Sequence, residues 1–316
     1  MNDDVLPTVS IVVPAFNEGK YIEQCIESLL ALDYPKDLIT ITIVDNGSTD
    51  DTVQKAEKHP VTVLIKKGGK VGGVRNYGVY NSDGEVLAFI DGDCIAGPLW
   101  LKAAVLKLQK GSGAIGGNYL LRENPSWVES AWVIENSPLE GKTKSLVGGS
   151  FILTRKLFNK LGGFDEIINA GEDTKLTKAV LSDGKDVEFL KQCAVIHLGY
   201  PNVLSSFIKR QFWHASSFVK SNNGFLNDKT FVFTLLFVLS FISLLVGWVT
   251  NTSIAFYGGG FLILSPIAFS VNRLRKCGNP KVSLILLLQM ICLDFFYCVG
   301  RGGGLLTSLI YDPYKK

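Results

Sequence analysis

The chain is 316 residues long, room for one large domain or two ordinary ones. Its 32 basic and 29 acidic side chains leave a net charge of only +3, with no Lys/Arg-rich block or stacking-aromatic pattern, which argues against a nucleic-acid partner. Six scattered cysteines form no CxxC pair, which points to a reducing compartment and away from structural zinc. The start, Met1-Asn2-Asp3-Asp4, is acidic and lacks an apolar stretch, so no cleaved signal peptide is expected and the first domain is expected in the cytosol.

Val9 to Val13 is a short β-branched run closed by Pro14, predicting a first buried strand. Asn17 is the expected N-cap of a helix in which Ile22, Cys25, Ile26, Leu29 and Leu30 recur at helical spacing. A second strand is predicted over Leu38–Val44, ending at Asp45, and the segment Asp45–Thr52 is dense in turn and capping residues. Val61–Ile65 predicts a third strand, and Val74 to about Asn81 a helix. Strands alternating with helices at this rhythm imply a parallel, doubly wound α/β sheet.

Between that strand and that helix lies Lys66-Lys67-Gly68-Gly69-Lys70-Val71-Gly72-Gly73, which matches neither a P-loop nor G-x-G-x-x-G. It reads as an anion-binding turn or as a flexible loop with solvated lysines. Arg75-Asn76 follows, and arginine can grip phosphate through two parallel hydrogen bonds. The apolar run Glu85–Ile90 then ends abruptly in Asp91-Gly92-Asp93. Open α/β sheets bind ligands beyond the carboxyl ends of their strands. Two hard oxygen ligands there suit Mg²⁺ or Mn²⁺ and, through it, a diphosphate; an ordinary surface turn is the alternative.

Four segments in order carry a resemblance: Val9-Ser10-Ile11-Val12-Val13-Pro14-Ala15-Phe16-Asn17-Glu18, Asp45–Thr52, Val74-Arg75-Asn76-Tyr77-Gly78, and Asp91-Gly92-Asp93. Together they resemble a family-2 glycosyltransferase of the GT-A fold over the first two-thirds of the chain. The resemblance implies that Pro14, Ala15 and Glu18 line a nucleotide pocket and that Asp45 hydrogen-bonds the base, usually uracil. It places Arg75 near base and phosphates and matches Asp91 and Asp93 to the family's D-x-D, Asp93 being the direct ligand of Mn²⁺ or Mg²⁺. Asn46 stands where the family usually has a second acidic residue.

Gly113–Tyr119 and Leu146–Leu153 each predict a strand, and Gly148-Gly149-Ser150 and Gly162–Glu166 are similar to family segments around the sugar and acceptor. Glu172-Asp173 opens a predicted helix, as capping or as function. By resemblance Asp173 is the general base that deprotonates the acceptor. His197 ends another apolar strand and reads either as a core histidine or, as in some GT-A enzymes, as a metal ligand. A helix is predicted from Val203 to about Lys220. Processive members carry Q-x-x-R-W there, whereas Gln211 is followed by His214 and Ala215.

Composition divides the chain into a soluble α/β domain over 1–230, which by resemblance is the GT-A domain, and a membrane domain over 231–316. Phe231–Thr250 is long and apolar enough to span, and Ser253–Val271 is a second candidate despite three glycines and Pro266. The basic connector Arg273–Lys281 places that end in the cytosol. In the third segment, Val282–Ile310, Asp294 and Arg301 either mark a functional intramembrane site or accompany a break near Gly300–Gly304; the break is expected. The expectation is a multi-pass enzyme of the cell membrane, of the surface-polysaccharide type. It would transfer a sugar with inversion from a nucleotide sugar, UDP-linked by preference, to a polyprenyl-linked acceptor. A polyprenyl-phosphate sugar synthase, a processive synthase and a non-enzymatic nucleotide-sugar-binding scaffold are the alternatives.

Overall fold

The computed structural model describes residues 5–133, 140–168, 170–216, 229–250, 252–278 and 280–310. They form two compact units, Met1–Arg122 with Ser137–Gly199, and Glu123–Asn136 with Tyr200–Lys316. The boundary expected at 230 therefore falls inside the second unit. Composition marks where the chain becomes apolar, but two amphipathic helices before that point pack with the apolar ones.

In the first unit the strands are β1 (Val9–Ala15), β2 (Ile39–Asp45), β3 (Thr62–Ile65), β4 (Val86–Phe89), β5 (Cys94–Ala96), β6 (Ala114–Gly116), β7 (Tyr119–Leu120), β8 (Gly141–Lys142), β9 (Phe151–Thr154), β10 (Val187–Phe189) and β11 (Val195–His197). Among the described residues the main sheet has the order β3-β2-β1-β4-β9-β6-β10-β8. Strands β3, β2, β1 and β4 are parallel, β9 runs antiparallel to both β4 and β6, and β8 is antiparallel to β10. The sheet is thus mixed, and the segments Val9–Glu18 and Asp45–Thr52 belong to its parallel half. A small second sheet, β5-β11-β7, stands beside it. The run predicted over Gly113–Tyr119 splits into β6 and β7, and β9 begins only at Phe151, leaving Leu146–Ser150 as a loop.

Helices α1 (Ile22–Leu30), α2 (Thr52–Ala56), α3 (Val71–Tyr80), α4 (Trp100–Gln109), α6 (Arg155–Lys160) and α7 (Glu172–Ser182) belong to this unit, with α5 (Trp127–Trp132) in the other. Ile22, Cys25, Ile26 and Leu29 of α1 are fully buried in one core layer, with Trp100 and Leu101 of α4. Val74 and Val79 of α3 and Leu176 and Val180 of α7 fill a second layer with Phe89 and Phe151. Strands buried on both faces need near-continuous apolar runs, which is why β1 and β4 were legible. Helix α3 starts at Val71 rather than Val74, so Gly72 and Gly73 are helical.

The second unit contains α5, α8 (Leu204–Ser216) and long apolar helices at Lys229–Thr250, Ile254–Lys276 and Leu284–Ile310. Among the described residues three helices are long and apolar enough to cross a membrane. The helix expected to reach Lys220 is described to Ser216, and its end lies outside the described residues. The third apolar helix runs unbroken through Gly300–Gly304, against expectation. A Cβ at Gly304 would collide with the Phe212 carbonyl oxygen, and one at Gly300 would lie 2.8 Å from that of Ile208. The glycines keep their helical conformation because they admit the backbone of α8. Asp294 is fully buried and pairs with Arg273 (Nη1–Oδ1 2.6 Å) and Ser270 rather than with Arg301. Arg273 also donates to the Ala131 and Trp132 carbonyls of α5. Gly304→Leu is expected to lower the thermal midpoint of the detergent-solubilised protein by roughly 5 °C, because overpacking against a rigid backbone cannot relax. An unchanged midpoint would show that the α8 contact is not tight.

Candidate active site

Asp45 ends β2, and the turn after it folds back on its carboxylate. The Gly47 and Ser48 N–H groups donate to Asp45 Oδ2 at 2.9 and 3.0 Å. Asp45 is only 2% exposed, and its Oδ1 is buried with no hydrogen-bond partner among the described residues. A carboxylate oxygen buried in this way can accept a hydrogen bond from a donor outside the turn. Ala15 pairs with Asp45 across the parallel ladder and Pro14 with Val44, so Pro14, Ala15 and Asp45 lie together at the carboxyl ends of two neighbouring strands.

The segment after β1 is tied to the same turn. Asn17 N–H donates to Ser48 Oγ, Thr49 N–H to Asn17 Oδ1, and Glu18 N–H to Thr52 Oγ1, each at 2.8 Å. These bonds hold Asn17 at a φ of 57°, and Tyr21, not Asn17, precedes the first turn of α1. The expected cap is therefore a turn-to-turn clasp.

Strand β4 ends at Phe89, and Asp91-Gly92-Asp93 makes the tight turn into β5, closed by Cys94 N–H on the Asp91 carbonyl at 3.0 Å. Glu18 lies beside this turn, its Cγ 3.3 Å from where a Gly92 Cβ would stand. The surroundings are electronegative. Burial pushes the Cys25 thiol up, and Asp93, Asp91 and Glu18 push it further. Carboxylates gathered this way favour a cation among them.

Antiparallel pairing of β11 with β5 sets His197 opposite Cys94, which brings His197 Nε2 to 3.5 Å from Asp93 Oδ2. Asp93, Cys94 and His197 offer ligand atoms within 4.8 Å of one another. Cys94 Sγ, however, donates to Asp93 Oδ1 at 3.6 Å, and burial together with Asp93 and Asp91 holds its thiol well above the ordinary value. That leaves one carboxylate and one imidazole as the donors of this group, a pair that would suit a divalent ion such as Mn²⁺.

Arg75, expected near base and phosphates, has both ends of its guanidinium on carboxylates of the chain. It is 2% exposed, with Nη1 on Glu172 Oε1 and Nη2 on Asp91 Oδ1, both at 2.6 Å. A buried guanidinium must be paired, and these two carboxylates, 97 and 16 positions away, take both ends of its fork. Burial alone would lower its pKa, but Asp91 and Glu172 outweigh that and hold it above the usual arginine range.

Tyr119 links this pair to the metal-ligand candidates. Its hydroxyl donates to Asp91 Oδ2 and accepts from Gly149 N–H, each at 3.2 Å, while its ring meets that of His197 edge-on at 4.7 Å. Asp91 thus has one oxygen on Arg75 and the other on Tyr119. Asp173 stands in the first turn of α7, where the helix dipole favours negative charge, and its Oδ2 accepts Gly148 N–H at 2.9 Å. A Cβ at Gly148 would lie 2.6 Å from Arg75 Nη2, so the Gly148-Gly149 loop fits against Arg75 and Asp91 while holding Asp173. Tyr119 and the Glu172 ion pair were not singled out from sequence. Glu172 adjoins Asp173 and could have been; a tyrosine closing a short apolar run carries no such signal.

A mixed α/β sheet whose strand ends gather these carboxylates defines a GT-A-like fold, followed here by apolar helices. Residues 10–162 match the family described as Glycosyl transferase family 2. Glycosyltransferase AglE of Haloferax volcanii is 27% identical over 220 residues, covering 66% of this chain and 71% of AglE. A second relative is the dolichyl N-acetyl-alpha-D-glucosaminyl phosphate 3-beta-D-2,3-diacetamido-2,3-dideoxy-beta-D-glucuronosyltransferase of Methanococcus voltae. It is 26% identical over 326 residues, covering 93% of this chain and 95% of that protein. Among solved structures, the mannosyltransferase PcManGT of Pyrobaculum calidifontis, in complex with GDP-Man and Mn²⁺, superposes with a TM-score of 0.56 at 17% identity, over 99% of this chain and 89% of its own. The chain is a glycosyltransferase with a family-2 domain on a GT-A-like fold.

Proposed function

We propose that this enzyme transfers a sugar, with inversion, from a nucleotide diphospho-sugar to a polyprenyl-linked acceptor at the cytosolic face of the cell membrane, with a UDP-sugar as the favoured donor. One observation carries the reading: a continuous set of contacts runs from Asp93 and His197 through Tyr119, Asp91 and Arg75 to Glu172, and through Gly148-Gly149 to Asp173. Donor-side and acceptor-side groups are thereby held in one frame, as a direct displacement requires.

In this reading Asp45 Oδ1 accepts the imide N–H of the base, and Pro14, Ala15 and Glu18 line the nucleotide pocket. Asp93 and His197 would hold Mn²⁺ or Mg²⁺, with Asp91 held beside them. When bound, the ion neutralises charge on the departing diphosphate. Asp173 takes the proton from the acceptor hydroxyl as its oxygen bonds to the anomeric carbon and the bond to the diphosphate breaks on the opposite face. Asp93→Asn is expected to weaken Mn²⁺ binding by at least about ten-fold in a paramagnetic titration. Equal affinity would remove Asp93 from the ligand set.

The membrane part of the reading rests on the three long apolar helices and on the basic residues Arg273, Arg275 and Lys276 at the end of the second, which favour a cytosolic location for that end. Several spans exceed what anchoring needs, which supports an acceptor that itself resides in the membrane. The dolichyl-phosphate-linked acceptor in the name of the Methanococcus voltae relative agrees. Ala215 lies against Gly304, with no room for the tryptophan of processive members, which favours a single transfer.

The test is a panel of UDP- and GDP-sugars with Mn²⁺ and polyprenyl-linked acceptors, read by the anomeric configuration of the product. An α-linked donor should give a β-linked lipid product. A retained configuration would overturn the mechanism.

A further inference from the structure

The lysine- and glycine-rich loop between β3 and α3 is fastened to the Asp45 turn by Asn46, which stands where the family resemblance leads one to expect an acidic residue. Asn46 Nδ2 donates to the Gly69 carbonyl, and Gly69 N–H donates back to Asn46 Oδ1, both at 2.9 Å. An aspartate could accept the second bond but could not make the first. At the root of the loop, Lys66 N–H donates to the Asp45 carbonyl at 2.8 Å. The loop is therefore attached to both residues of the turn.

This attachment fixes where one of its cations goes. Gly47 has a φ of 89°, and a Cβ there would sit 3.3 Å from Lys67 Cγ and 3.6 Å from Lys67 Cβ. The Lys67 stem thus runs along the bare backbone of Gly47, whose N–H donates to Asp45 Oδ2. Lys66 is directed elsewhere, its ammonium over the Tyr77 ring at 5.1 Å. Lys67 is exposed and lies across the turn that holds the buried Asp45 carboxylate.

We propose that residues 66–70 form a second wall of the nucleotide site, in which Lys67 contacts the anionic part of a nucleoside diphosphate and Asn46 is the positioning residue that holds the wall in place. This rests on the nucleotide-sugar reading above. The neutral amide at position 46 exchanges a base-side carboxylate for a fastened cationic loop.

The experiment measures UDP and GDP binding with Mn²⁺ by calorimetry on the full chain in detergent, and steady-state transfer, for wild type, Asn46→Asp, Lys67→Ala and Lys67→Arg. Asn46→Asp and Lys67→Ala should raise Kd and donor KM about ten-fold with kcat at saturating donor within about two-fold of wild type. Lys67→Arg should restore binding, and Lys67→Ala should flatten its salt dependence. Asn46→Asp should also quicken tryptic cleavage after Lys66 and Lys67, a readout of the released loop. Wild-type Kd and KM in both Asn46→Asp and Lys67→Ala, or equal losses in kcat and kcat/KM, would overturn this inference alone. A wild-type chain that binds neither nucleotide would overturn the proposed function and this inference together.

Discussion

Arg75→Ala is expected to abolish transfer and to weaken the fold. The substitution leaves Glu172, 7% exposed in its side chain, and the partly buried Asp91 facing one another without their shared cation. Removing one partner of a buried ion pair typically costs about 3–5 kcal/mol. Arg75→Lys separates folding from geometry. An ammonium keeps the charge but cannot present two parallel donor edges to carboxylates on different elements. The lysine variant should be purifiable and should lose about 100-fold in kcat, on the order of 3 kcal/mol of transition-state stabilisation. Its nucleotide Kd should stay near wild type if, as proposed, the Arg75 guanidinium acts through Asp91 and Glu172. A large rise in Kd with unchanged kcat would instead return Arg75 to the nucleotide pocket.

Asp173→Asn is expected to reduce kcat by about 1,000-fold, within the range general-base catalysis contributes. The amide keeps the size of the side chain and its Oδ1 can still accept Gly148 N–H, so the loop against Arg75 and Asp91 should stay in place. Metal and donor affinities should therefore be unchanged, and donor hydrolysis by water should fall with transfer. Unchanged transfer would remove Asp173 from the proton step.

Much of the parallel half of the sheet was legible because its strands are buried on both faces and read as unbroken apolar runs. The Asp45 turn and the Asp91-Gly92-Asp93 turn were legible for a related reason: polar, glycine-containing punctuation ends each run. Arg75 was not. An arginine near a helix start suits phosphate equally well, and the carboxylate at Glu172 that claims it lies 97 positions away. The sequence left His197 open between core residue and ligand, and antiparallel pairing with β5 places it at Asp93. Asn17 has the chemistry of a helix cap, yet the Ser48 and Thr49 turn competes for the same groups. The glycines at 300–304 read as a break because sequence does not show the backbone of α8 that fills the groove they leave. The unit boundary shifted for the same kind of reason. Buried faces of α5 and α8, such as Val128, Ala131 and Phe207, join the core of the apolar helices without being continuous apolar segments.

The most direct measurement is the mass of the lipid product formed by the purified full chain from a nucleotide sugar and a polyprenyl-linked acceptor, with Mn²⁺ or with EDTA, and with Asp173→Asn in parallel. The acceptor should gain the mass of one sugar with wild type and Mn²⁺ alone. A lipid whose mass does not change with any donor, or one that gains the sugar equally in EDTA and with Asp173→Asn, would contradict metal-dependent transfer by this site.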